Sequence, residues 1–103
     1  MVSRFADQSA EVPAWTFLSN HAHVLICIAQ NPEVRLAEMA RKVGIGERAV
    51  HSIVHDLVQA GYVDLSKNGR HNVYQVRLDR PLRHPLEASH QIIDVFGPLT
   101  VPT

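Results

Sequence analysis

A single cysteine, Cys27, in a chain of 103 residues excludes an intrachain disulfide and any site built from two or more thiolates. No apolar run approaches the roughly 18 residues needed to cross a bilayer. The opening stretch, Met1-Val2-Ser3-Arg4-Phe5-Ala6-Asp7, lacks the apolar core of a secretion signal. The expected address is therefore the cytoplasm, with no membrane partner. No nucleophile elbow, phosphate-cradling glycine loop or paired-carboxylate pattern is present, so neither an enzyme nor a cofactor is implied. Internal repeats and low-complexity segments are also missing.

What remains is an ordinary globular composition, 46% hydrophobic and 19% charged, which argues against disorder and for one small domain. The formal net charge of zero hides an uneven distribution. Between Arg41 and His84, eight cations (Arg41, Lys42, Arg48, Lys67, Arg70, Arg77, Arg80 and Arg83) face only Glu47, Asp56, Asp64 and Asp79. Such a span implies one basic face on an otherwise acidic or neutral body.

Residues 1–14 lack periodicity and read as a flexible arm. From Trp15 to Gln30 the apolar residues recur with a helical period, but in two stripes. Trp15, Leu18, Ala22, Leu25 and Ala29 form the first; Phe17, Val24 and Ile28 form the second. Two stripes call for a second covering surface, either the C-terminal segment or a partner chain. Asn31-Pro32 ends this helix. Val34-Arg35-Leu36 is short and β-like, and Ala37 to Val43 suits a two-turn helix closed by Gly44. Ile45 plugs the core, and Gly46 can cap a second helix from Glu47 to Ala60, with Val50, Ile53, Val54, Leu57 and Val58 inward. Period-two alternation in Val63-Leu65 and Tyr74-Val76-Leu78 flanks Asn68-Gly69, a strong hairpin-turn dipeptide. After a linker stiffened by Pro81, Pro85 is well suited to open a last helix reaching Phe96.

The span from Arg35 to Val63, RLAEMARKVGIGERAVHSIVHDLVQAGYV, resembles the bacterial MarR/ArsR-type regulators, and the segment Gly69–Val76 looks like their wing. The resemblance covers about residues 15–78. It implies an α+β winged helix-turn-helix, a three-helix core with a two-stranded wing hairpin, here followed by an extra C-terminal helix. The corresponding division is an arm at 1–14, a DNA-binding domain at 15–80, and a dimerisation helix and tail at 81–103. Gly46 departs from the serine-like cap of that family, and His51, Ser52 and His55 stand where it often has a serine and arginines.

The residues support the same function independently. A buried stripe on 47–60 leaves Arg48, His51, Ser52 and His55 facing outward, where a helix can enter a major groove and reach base edges. Arg70 at the hairpin tip suits a minor groove, with Lys67, Asn68 and His71 near phosphates. The expected function is a sequence-specific transcriptional regulator, a repressor, binding double-stranded DNA as a homodimer on a pseudo-palindrome. Phe17, Val24, Ile28, Leu86, Ile92, Ile93 and Phe96 are the candidate dimer surface. Two other readings compete: a winged helix that binds a protein partner, since Arg48 is the only full cation on its helix, and a regulator responsive to metal or ligand. For metal, His51/His55, His21/His23 and His84/His90 are pairs without third and fourth ligands, Cys27 reads as a small core residue, and no metal site is assigned. The effector is unknown from sequence; one would have to bind between the first and last helices or at the dimer seam.

Overall fold

The structure, a computed structural model, describes residues 12–101. Most of the expected arm lies outside that range. Three helices come first, α1 (Asn20–Gln30), α2 (Leu36–Val43) and α3 (Glu47–Gln59). An antiparallel hairpin of β1 (Val63–Asn68) and β2 (His71–Val76) follows, then α4 (Ile92–Phe96) and a 3-10 turn at Gly97–Leu99. The expected α+β arrangement is thus present, with changes at its edges.

Helix α1 begins five residues later than the apolar periodicity suggests. Ser19 sets the boundary, because its Oγ accepts the Ala22 amide at 3.2 Å and satisfies a donor left free in the first turn. Trp15 and Phe17 therefore stand outside the helix, stacked edge-on with centroids 5.1 Å apart and largely exposed to solvent. Both stripes of α1 are nevertheless buried. Ala22, Val24, Leu25 and Ile28 all face the core, because α2, α3 and β2 pack around this one helix. The chain itself covers the second stripe.

Between α2 and α3 the chain turns at Gly44, whose φ of +87° is the left-handed conformation that favours glycine. The amides of Gly44 and Ile45 both bond to the Ala40 carbonyl, at 2.9 and 3.1 Å, closing the end of α2. Met39, Ala40 and Val43 of α2 meet Val50, Ile53, Val54 and Leu57 of α3 in the core. Val58, expected inward, is only half-buried. Val34-Arg35-Leu36 forms no strand. Its neighbour Pro32 has no amide to donate, and a single bond from the Tyr74 amide to the Pro32 carbonyl, at 2.8 Å, ties this segment to the hairpin.

The hairpin register pairs Val63 with Val76 and Asn68 with His71. Its central turn residues are consequently Gly69-Arg70, one position later than Asn68-Gly69 suggests. Gly69 carries φ +67° and no other residue type in the described chain has positive φ, the pattern of a turn with glycine first. Val63 and Tyr74 anchor the base of the hairpin, and Leu65 on the same face is already 44% exposed, so the tip projects away from the body.

The C-terminal segment differs most from expectation. No helix starts at Pro85; the chain turns through 85–90 and becomes helical at Ile92. The reason is long-range backbone pairing. Leu82 donates to the His90 carbonyl at 3.0 Å and Ile92 to the Arg80 carbonyl at 2.8 Å, so residues 80–82 and 90–92 clasp each other antiparallel. Gln91 and Asp94 then form a reciprocal capping box that starts α4. The clasp is fixed to the core by the Tyr62 hydroxyl, which donates to the Pro81 carbonyl at 2.6 Å, and by the Ile93 amide bonding Leu78.

Candidate nucleic-acid interface

Helix α3 divides into two faces. One holds Val50, Ile53, Val54 and Leu57, each less than a tenth exposed. The other holds Arg48, His51, Ser52 and His55, all exposed. The 3.6-residue period produces this separation: with apolar residues at 50, 53, 54 and 57, positions 48, 51, 52 and 55 lie on the opposite side. The expected recognition residues thus share one solvent-facing surface. Lys67, Asn68, Arg70 and His71 are exposed together at the hairpin tip.

A groove of about 430 Å³ lies between the hairpin and the starts of α2 and α3, lined by Arg70, His71 and Asn72 of the hairpin, Glu33, Arg35 and Ala37 around the start of α2, and Glu47 at the start of α3; Arg48, His51, Ser52 and His55 do not line it. Helix start and hairpin tip therefore border one continuous concave surface. Among the described residues, Arg41, Arg48, Lys67, Arg70, Arg80 and Arg83 make no ion pair within 4.0 Å. Lys42 does pair, with Glu38 at 3.4 Å. Arg77 is also internally compensated: Asp64 accepts its hydrogen bond at 2.7 Å, and that bond and charge push the guanidinium still higher above neutrality. Asp56, the one acid on the outer half of α3 beyond its first turn, is held by His21 Nε2 of α1 at 2.9 Å. That contact ties α3 to α1.

The seven candidate dimer residues do not form one surface. Val24, Ile28, Ile92 and Phe96 are buried in the chain's own core and offer nothing to a partner. Phe17, Leu86 and Ile93 remain exposed, Phe17 and Leu86 at 93% and 88%. Trp15, assigned from its spacing to the inner stripe of the first helix, stands with them. Its exposure follows from the Ser19 cap, whose Ser-Asn-His-Ala context is the sequence signal for the later helix start. A largely apolar groove of about 450 Å³ lies beside Phe17, with Leu25, Leu57, Tyr62, Leu82 and Phe96 among its other walls.

Cys27 is half-buried on α1. Burial pushes its thiol above the ordinary range, against the opposing pull of the Lys42 charge and with a smaller push from Glu38, so it stays protonated at neutral pH. His51 and His55 lie one turn apart on α3, and His90 lies 3.7 Å from Asp94. Among the described residues no three His, Cys, Asp or Glu side chains come together as metal ligands do.

A helix-turn-helix whose second helix turns a polar face outward beside a cation-bearing hairpin is a winged helix, the class of protein defined by this fold and surface. The MarR family profile matches residues 19–70, and the chain belongs to the MarR family. No curated protein matches the sequence. Among solved structures, the chain is similar to the zinc-dependent MarR family transcriptional regulator AdcR in its Zn(II)-bound state, at 21% identity and a TM-score of 0.47. That likeness covers 74% of this chain and 57% of AdcR, so the chain spans little more than half the length of that regulator. Among the described residues, no helix is long and apolar enough to cross a membrane.

Proposed function

We propose that this chain is a cytoplasmic DNA-binding transcriptional regulator, a repressor that acts as a homodimer on a pseudo-palindromic site. The observation that carries the reading is the outward face of α3, Arg48-His51-Ser52-His55, exposed together with the cation-bearing hairpin tip Lys67-Asn68-Arg70-His71. Arg48 is the candidate for bidentate guanine contact, and His51, Ser52 and His55 hydrogen-bond bases or phosphates. Arg70 enters the minor groove, and Lys67, Asn68 and His71 contact backbone.

Residues 15–80 form the DNA-binding part, and 81–103 contribute to dimerisation. The dimer surface is narrower than the sequence suggests: Phe17, Leu86 and Ile93 form it, with Trp15 added. A single winged helix reads only about one half-site, so two copies are needed for the specificity of a regulator.

Selection of bound sequences from a random duplex pool at about 150 mM salt tests the reading, because non-specific contacts weaken there. Enrichment of an inverted repeat with half-sites about one helical turn apart supports a dimeric regulator. Arg48→Ala should relax preference at one base position at a cost of about 1–3 kcal/mol, and Arg70→Ala should weaken binding and lower its salt dependence. No enrichment, together with wild-type affinity in both variants, overturns the assignment.

A further inference from the structure

Apart from His23, half-buried on α1, and His84, which accepts the Leu86 amide, the histidines fall into two groups. His21 and His90 each stand beside a carboxylate of the chain, Asp56 at 2.9 Å and Asp94 at 3.7 Å. His51, His55 and His71 are exposed with no carboxylate within 4.0 Å among the described residues, and all three lie on the face assigned to DNA. Among the described residues the full cations of that face are Arg48, Lys67 and Arg70, with Arg35 at the groove. Its charge therefore depends on whether these imidazoles carry protons.

We infer that DNA binding by this protein is coupled to proton uptake on His51, His55 and His71, so that the same protein binds more tightly in mildly acidic than in mildly alkaline solution. The inference rests on the DNA-binding reading of that surface. Imidazole changes charge between about pH 5 and pH 8, and a phosphate in contact favours its protonated form. A complex that holds more protons than the free protein gains affinity as pH falls.

The surroundings determine how many protons are available. On α3, His51 has Glu47 and Arg48 one turn before it and His55 one turn after it. Asp56, next to His55, is engaged by His21. His71 pairs across the hairpin with Asn68 and shares its groove with Arg70, Arg35, Glu33 and Glu47. The anions that face these imidazoles are thus Glu33 and Glu47 at the groove and Asp56 beside His55, the last hydrogen-bonded to His21. For a generic imidazole, a tenfold rise in proton affinity on contact makes binding roughly six-fold tighter at about pH 6 than at about pH 8. Two or three such groups give roughly 40- to 200-fold per protomer.

The test is fluorescence anisotropy of the full chain on a labelled mixed-sequence duplex of about 30 base pairs, titrated at about pH 6 and pH 8 over a salt series. The expected result is at least roughly tenfold tighter binding at the lower pH, with a salt slope steeper by about 0.9 for each added phosphate contact. The variant His51→Gln/His55→Gln/His71→Gln should bind equally at both pH values, whatever its absolute affinity. His90→Gln should keep the parent's pH dependence, and circular dichroism at both pH values verifies folding. Parent affinity that agrees within about twofold at the two pH values, or a triple variant that keeps the dependence, overturns the inference while leaving DNA binding intact. Absence of binding at either pH, even at low salt, overturns the DNA-binding reading as well.

Discussion

Gly44 and Gly46 lie two positions apart in the turn that sets the angle between α2 and α3, and their substitutions should have opposite signs. Gly44 has φ +87°, and a Cβ there would also approach the Val12 Cγ2 to 2.5 Å. The Val12 side chain is exposed and can yield, so the cost is mainly conformational: about 1–2 kcal/mol for an L-residue held left-handed. Gly46 has φ −74° and ψ 159°, an extended N-cap with no side-chain cap, and a Cβ added there would meet no atom within 4 Å. Gly46→Ser adds an oxygen for the free amides of the first turn of α3 and restricts the unfolded chain, a gain of about 0.5–1.5 kcal/mol. At roughly 4–8 °C per kcal/mol for a domain near this size, Gly44→Ala should lower Tm by about 5–15 °C and Gly46→Ser raise it by a few degrees. Thermal unfolding by circular dichroism, with urea denaturation alongside, measures both. A neutral Gly44→Ala would show that the left-handed cap is not needed, and a destabilising Gly46→Ser would refute the capping argument.

Ile28→Ala should cost about 2–5 kcal/mol, because the side chain is fully buried at the centre of the core, whereas Phe17→Ala should change folding stability by under about 0.5 kcal/mol and instead weaken self-association. Urea denaturation and sedimentation equilibrium separate the two effects; comparable stability losses would place Phe17 in the fold. The Cys27 thiol, raised by burial, contributes stability that is fully present below the ordinary thiol range and is lost as pH rises through its folded value. Unfolding free energy should therefore fall in alkaline solution for the parent and fall less for Cys27→Ala, and equal pH dependence would remove that role.

The helix-turn-helix was legible because its signals are local. Met39, Ala40 and Val43 and then Val50, Ile53, Val54 and Leu57 repeat with the helical period, and Gly44 and Gly61 mark where helices end. The outward set on α3 followed from the same count. Features determined by distant partners were not legible. Pro85 is a good first helical residue, yet pairing of 80–82 with 90–92 determines that stretch, and local propensity carries no trace of it. Val24 and Ile28 resembled an interface because two stripes exceed the needs of a peripheral helix, whereas α1 is central. The hairpin turn moved by one residue because the pairing of Val63 with Val76 determines register more strongly than the preference of Asn-Gly.

The two faces of α3 have no side chain in common. Residues that hold the helix in the body take no part in the outer surface, and Arg48, His51, Ser52 and His55 contribute nothing to the core. Exchanges at those four positions should therefore change stability by no more than about 0.5 kcal/mol each and combine nearly additively with core changes. This gives the outer surface room to vary: on the DNA-binding reading proposed above, the sequence contacted can change one residue at a time, each intermediate folding as well as its parent. The same independence makes these four positions a natural place to randomise when a small DNA reader with new targets is sought.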